Sequence, residues 1–179
     1  MYNYLLKVFH EKYLKAIDER RWLWGSFVWN MFEFGSAGRR EGARVGINDK
    51  GLVSYDRKRK KDAFFFYQAN WRPDVPVLRI CGKELMRTAV GVVDVVVLSN
   101  RGKVSLSLNG ESLSSQAPDS VKTAIFKEVS LQSGENRIVA TAGDQVDSWR
   151  VIFDSATSPT SDGREDSASV APNTDELHY

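Results

Sequence analysis

Four carboxylates, Glu33, Glu41, Asp49 and Asp56, share one stretch of chain with Trp29 and the run Asn48-Asp49-Lys50-Gly51. Acid–base or nucleophilic chemistry needs two such carboxyl groups, each held rigidly by packed neighbours. The amide of Asn48 and the ammonium of Lys50 both favour an anionic acceptor. The same four residues also suit a turn in which Asn and Gly satisfy local geometry. Trp29 lies in an apolar run, where a tryptophan is more often core than contact. Metal chemistry has little to work with. A single cysteine, Cys81, excludes an intramolecular disulfide and a multi-cysteine zinc site, and His10 and His178 are far apart. Neither a metal nor a cofactor is expected.

These residues must be positioned by elements whose number is bounded by length. The chain has 179 residues, 42% hydrophobic and 27% charged, with a net charge of +2, which suits one domain or a domain plus a piece. No apolar run reaches the ~18 residues of a membrane span, so no membrane partner is expected. A complete (β/α)₈ barrel, at about 250 residues, does not fit. Residues 2–20 are expected to form a helix, with Leu5, Val8, Phe9, Tyr13, Ala16 and Ile17 along one apolar stripe. Residues 22–34 are apolar on both alternating faces, which predicts a strand covered on both sides. The glycine-rich, charged stretch 35–61 reads as a long loop, and long loops in compact domains tend to be functional or disordered. A second helix is expected over 62–71, ended by Arg72-Pro73-Asp74.

Beyond Pro76 the period changes to two. Val93 begins one strand, Val104, Leu106 and Leu108 mark another, and Asn109-Gly110 signals a hairpin. Further strands are expected over 121–131, 136–142 and around Trp149, Val151 and Phe153. The pattern predicts an antiparallel β-sandwich with Val95, Leu106, Leu108, Phe126, Ile138 and Trp149 in its core. Without a Cys…Trp…Cys framework it is immunoglobulin-like only in the looser sense. Residues 155–179 carry five acids and one base, a net of −4 that leaves +6 on the remainder. So polar a segment cannot offset its ordering entropy and is expected to be a disordered tail.

The run WGSFVWNMFEFGSAGRREGARVGINDKGLVSYDRKRKKDAFFFYQANW closely resembles the end of the catalytic barrel in glycoside hydrolase family 2, which includes β-galactosidases and β-glucuronidases. The segments PVLRI, VVDVVVLSNRGKVSLSLNGESL and GENRIVATAG resemble the β-sandwich that follows that barrel. The resemblance implies a barrel portion over 1–73 (the seventh helix, the eighth strand and the closing helix), a sandwich domain over 74–154 and the tail over 155–179. It further implies a retaining mechanism, with two carboxyl groups about 5 Å apart. In the family both are glutamates on earlier strands, so the chain is expected to begin after them and to hold no catalytic residue. Glu33 stands where members commonly have Asp in FDFGS, and Ala37 departs from GSDGRREG. Neither change builds a replacement site, and Glu33 is expected to anchor the loop.

The resemblance makes Trp29 a residue of the sugar-binding subsite, its indole a flat apolar platform for a pyranose. In β-glucuronidases of the family an Asn-x-Lys motif in this loop binds the sugar carboxylate, which points to Asn48 and Lys50. β-Galactosidase-like relatives also carry NDKG, so the sugar stays open. Arg39-Arg40-Glu41 is expected to be an ion-paired framework, and the run from Arg57 to Lys61 a solvated face; nucleic acid is not an expected partner. The function expected is the C-terminal portion of a β-galactosidase-like retaining glycosidase of carbohydrate metabolism, or alternatively a β-glucuronidase type. Alone it should be inactive, binding β-galactoside or β-glucuronide only within a complete barrel, with the missing barrel strands as its partner. A free-standing, non-enzymatic sandwich that binds carbohydrate or protein is the competing reading.

Overall fold

The computed structural model describes the backbone of residues 2–40 and 44–154, and the side chains of those from residue 8 onward. The tail over 155–179 lies outside the described residues. In chain order the elements are α1 (Tyr2–Asp18), β1 (Phe34–Gly35), β2 (Ile47–Asn48), α2 (Asp62–Trp71), β3 (Leu78–Ile80) and β4 (Arg87–Thr88). There follow β5 (Val92–Ser99), β6 (Val104–Leu108), β7 (Glu111–Gln116), β8 (Thr123–Ser130), β9 (Gly134–Ala142) and β10 (Gln145–Phe153).

Strands β3 to β10 build a two-sheet sandwich. One sheet runs β3-β5-β8, the other β4-β10-β9-β6-β7. Every pairing is antiparallel except the short parallel contact of β10 with β4. The inner faces interdigitate around the six residues whose alternation marked them as core, all of them buried. Trp149 fits because its indole N–H donates to the Leu85 carbonyl at 2.9 Å, which satisfies its one polar atom. At the β6–β7 hairpin Asn109 and Gly110 have φ of 53° and 92°, the left-handed pair that a two-residue turn of this twist requires. The outer strand β7 is serine-rich and mostly exposed, as befits a sheet edge.

Strand β5 departs from the alternating pattern. Its residues 95–99 are all buried, because the two faces have different covers. Val95 and Val97 point into the sandwich, whereas Leu98 packs with Phe66 and Ala63 of α2 and with Leu14 of α1. Polar bonds fasten the same junction. The buried Asp62 carboxylate accepts from Arg79 Nε at 2.9 Å and from the Gly82 N–H at 2.7 Å. Asn70 Nδ2 donates to the Val121 carbonyl at 3.1 Å. The helices and the sandwich therefore share a second core.

Two sequence expectations are corrected here. Residues 22–34 do not form a strand along their length; only their last residue, Phe34, enters one, the two-residue β1, and Phe32 makes an isolated bridge to Val53. A parallel strand exists only where neighbouring strands accept its backbone groups, and the described residues supply none on either side. Trp24 and Phe27 are consequently 92% and 91% exposed. The buried side of α1 also differs by one position: His10 and Leu14 face α2, while Phe9 and Tyr13 are half exposed and stacked on each other at 4.3 Å between centroids.

Truncating Leu98 to Ala should cost roughly 2–5 kcal/mol in urea unfolding, by lost burial and a residual cavity. Leu113→Ala, on the exposed edge strand, should change stability by no more than about 0.5 kcal/mol. Equal losses would contradict a core shared by helix and sheet.

Candidate functional site

The segment carrying Trp29 is held by the loop that follows it. Leu52 and Val53 donate their N–H groups to the carbonyls of Asn30 and Met31 at 3.0 and 2.9 Å, and the Glu33 N–H donates to the Val53 carbonyl at 3.0 Å. Gly51 lies at the closest approach, where a Cβ would fall 2.2 Å from the Glu33 nitrogen. Only glycine fits there. One residue pair further on, β1 and β2 set Phe34 opposite Asn48.

This backbone arrangement gathers the predicted site residues. Trp29 is 74% exposed, and its ring meets the Phe34 ring edge-on at 6.2 Å. Phe34 in turn is the cross-strand partner of Asn48. Asn48 Oδ1 accepts the Lys50 N–H at 3.1 Å, so the turn geometry that the sequence allowed is present. That bond leaves, among the described residues, the amide donors of Asn48 and the ammonium of Lys50 unengaged. Among the described residues Lys50 forms no ion pair within 4.0 Å, and its side chain is exposed. A flat indole, an amide donor and an uncommitted cation can together receive a ring that bears an anionic group. Among the described residues no group of three or more His, Cys, Asp and Glu side chains could hold a metal ion.

Behind this surface lies a charged anchor. Glu33 is buried, with Lys61 Nζ 2.5 Å from Oε1, the Tyr55 N–H 2.8 Å from Oε2, and Arg44 also on Oε2. Lys61 Nζ donates as well to the Asp49 carbonyl at 2.6 Å, between Asn48 and Lys50. Glu33 thus takes the loop-anchoring role, and Lys61 transmits its position to the turn. Burial alone would raise the Glu33 pKa. The Lys61 and Tyr55 hydrogen bonds, with the charges of Lys61 and Arg44, outweigh it and hold the carboxyl below the usual glutamate range.

The roles of Lys61, Arg44 and Phe34 were not apparent from the sequence. Lys61 looked like the last member of a solvated basic run, yet it is buried, which corrects that reading for this residue. The usable signal was its place just before Asp62, where the chain turns inward to start α2. Arg40 Nη1 donates to the Ala37 carbonyl at 3.0 Å, and Glu41 lies outside the described residues.

Replacing Glu33 by Gln should destabilise the protein by about 3–5 kcal/mol at pH 7, because Lys61 would stay buried without its counter-charge. Since the folded-state pKa is depressed, the stabilisation is complete above the ordinary glutamate value of about 4.3. It is lost as pH falls from there through the folded value. Urea unfolding of both proteins between pH 7 and pH 2 should show the gap close on the acid side only.

Comparison with known proteins agrees with this architecture. A family profile described as a domain of unknown function, DUF4982, matches residues 91–147. A β-glucuronidase from Bacteroides fragilis is 44% identical over 133 residues, which is 74% of this chain and 19% of that protein. The crystal structure of an FMN-binding β-glucuronidase from Facaelibacterium prausnitzii L2-6 superposes with a TM-score of 0.76 at 37% identity, covering 83% of this chain and 23% of the other. A Bacteroides fragilis structure described as a candidate β-galactosidase superposes with a TM-score of 0.74 at 31% identity, over 80% of this chain and 22% of that one. The chain spans about a fifth of the length of these relatives. Its homologues, by sequence and by fold, are the β-glucuronidase and β-galactosidase proteins of glycoside hydrolase family 2, and it corresponds to their C-terminal region.

Proposed function

We propose that the chain is the substrate-lining C-terminal portion of a retaining β-glycosidase whose substrates are β-glucuronides. In this reading Trp29 stacks on the sugar ring while Asn48 and Lys50 bind its carboxylate. The attacking and protonating glutamates, about 5 Å apart, come from barrel strands outside this chain. The observation that carries the choice of sugar is Lys50. An exposed ammonium with no ion-pair partner among the described residues, two positions from Asn48, whose cross-strand partner Phe34 meets the Trp29 ring, suits an anionic substituent better than a neutral hydroxymethyl group. The curated relative and the FMN-binding structure, both β-glucuronidases by name, support the same choice.

The aromatic surface has a place in this reading too. Trp22, Trp24 and Phe27, with Phe9 and Tyr13 of α1, are exposed apolar side chains that the remaining barrel strands would cover. Alone, the chain is expected to cleave neither aryl β-glucuronides nor aryl β-galactosides, because no residue of it supplies the reacting pair.

The test joins this chain to the preceding barrel of a β-glucuronidase relative and follows hydrolysis of both aryl glycosides. Loss of a hydrogen bond to a charged group is worth about 1.5–3 kcal/mol, so Lys50→Ala should lower kcat/KM for the glucuronide roughly 10- to 100-fold. Galactoside cleavage should change little. Equal loss on both sugars would remove the uronate reading, and turnover by the unjoined chain would remove the assignment of catalysis to other strands.

A further inference from the structure

Lys61 stands apart from the basic run that it ends. Arg57, Lys58 and Lys60 are exposed and line a cleft on the outer side of the loop, and Arg59 faces Glu84 at 3.9 Å. Lys61 turns inward, and its side chain is 3% exposed. Its backbone N–H donates to the Leu52 carbonyl at 2.9 Å, so the side chain starts beside Leu52 and reaches back along the loop to Asp49. There Nζ donates to the Asp49 carbonyl at 2.6 Å and lies 2.5 Å from Glu33 Oε1. Glu33 is equally buried, so this chain's own residues already close the pair off from water. A buried ion pair gives little net stability compared with apolar residues of the same volume. What an apolar side chain at position 61 could not do is hold the Asp49 carbonyl.

Asp49 is the buried pivot of its turn, with Asn48 half-buried on one side and Lys50 exposed on the other. Because the peptide units flanking residue 49 are planar and stiff, a shift of its carbonyl moves both neighbours. Two donors that share one carboxylate depend on their relative placement, and an error of about 1 Å can cost on the order of 100-fold. Trp29 is fixed by other means. Its segment is tied through the Asn30 and Met31 carbonyls to the N–H groups of Leu52 and Val53, and its ring meets Phe34. Loss of the Lys61 side-chain contact would therefore displace the two polar donors and leave the aromatic platform in place.

We infer that Lys61, charge-balanced by Glu33, is the positioning residue of the uronate site. By fixing the Asp49 carbonyl it sets the places of Asn48 and Lys50, and with them the preference for a glucuronide over a galactoside. The inference rests on the assignment of Asn48 and Lys50 to the sugar carboxylate proposed above. Lys61 and Glu33 themselves are buried and act on the sugar only through that turn.

The test uses the joined, barrel-complete protein and reads kcat/KM for the aryl β-glucuronide and the aryl β-galactoside. Glu33→Gln together with Lys61→Met removes both buried charges at once, so neither is left unpaired. This paired variant should lose about tenfold on the glucuronide and no more than about twofold on the galactoside. If it fails to fold, Glu33→Gln with Lys61→Gln, a side chain one bond shorter than lysine but still polar, should show the same selective loss. Lys58→Ala, from the same basic run, should leave the ratio of the two rates unchanged. Combined with Lys50→Ala, the paired variant should lose less on the glucuronide than the product of the separate losses, because both act on one carboxylate contact. A folded paired variant with its glucuronide preference intact, equal losses on both sugars, or losses that multiply with those of Lys50→Ala would overturn the proposal. If Lys50→Ala abolishes the preference while the paired variant keeps it, the role of Lys61 falls and the uronate reading stands. If Lys50→Ala leaves the preference intact, both fall.

Discussion

The ion pair between Glu33 and Lys61 is the constraint around which the N-terminal part is arranged. Both groups are buried, and each has further partners: the Tyr55 N–H and Arg44 for the carboxylate, the Asp49 carbonyl for the ammonium. A buried pair is costly to desolvate and persists only when its remaining donors and acceptors are met. Meeting them here draws four separate stretches, around residues 33, 44, 49–55 and 61, to one point. The Asn48-Asp49-Lys50 turn, in which Asp49 is buried and Lys50 exposed, is thereby held by a charged pair it does not itself contain. Gly51 completes the arrangement, since any side chain there would meet the Glu33 backbone.

That anchor continues into the sandwich through α2. Lys61 precedes the helix, Asp62 opens it, and the Asp62 carboxylate binds Arg79 and the Gly82 N–H on the far side. Phe66 and Leu98 then close an apolar core between helix and sheet. The sandwich serves as a rigid base on which the loop and its aromatic residues are mounted, so packing energy stored in the β-strands supports a surface tens of residues away in sequence. A deeper consequence concerns α1. His10 is buried, its Nδ1 hydrogen-bonded to the Tyr67 hydroxyl at 2.9 Å, and burial lowers the His10 pKa while raising that of Tyr67 to about 12. Both groups stay neutral at neutral pH, which lets an otherwise apolar contact between α1 and α2 hold a polar pair.

Much of the sandwich was legible in the sequence because its information is local. Alternation marked Val104, Leu106 and Leu108 as inward-facing, Asn109-Gly110 marked the turn between β6 and β7, and Asp62 with Arg72-Pro73 bracketed α2. The short strands β3 and β4 were not legible, since two or three residues carry no period; their pairing is decided by β5 and β10. The double-sided burial of β5 could be seen as a run of valines but not explained until α2 was found lying on it. For residues 22–34 the pattern stated a preference for a strand covered on both faces, and the described residues leave Trp22, Trp24, Phe27 and Trp29 largely exposed. In α1 the periodic stripe included Phe9 and Tyr13, yet packing on α2 selected the neighbouring face.

The sequence by itself determined the family resemblance, the two helices and the sandwich core with its longer strands, because motif, period and turn chemistry depend on residues near one another in the chain. Tertiary structure alone decided that Lys61 is buried against Glu33 while Arg57, Lys58 and Lys60 line an outer cleft. It alone decided that Phe34 connects Trp29 to Asn48. Residues with the same charge and adjacent positions acquired opposite fates there, since burial and pairing are set by contacts between distant segments, which no local pattern encodes.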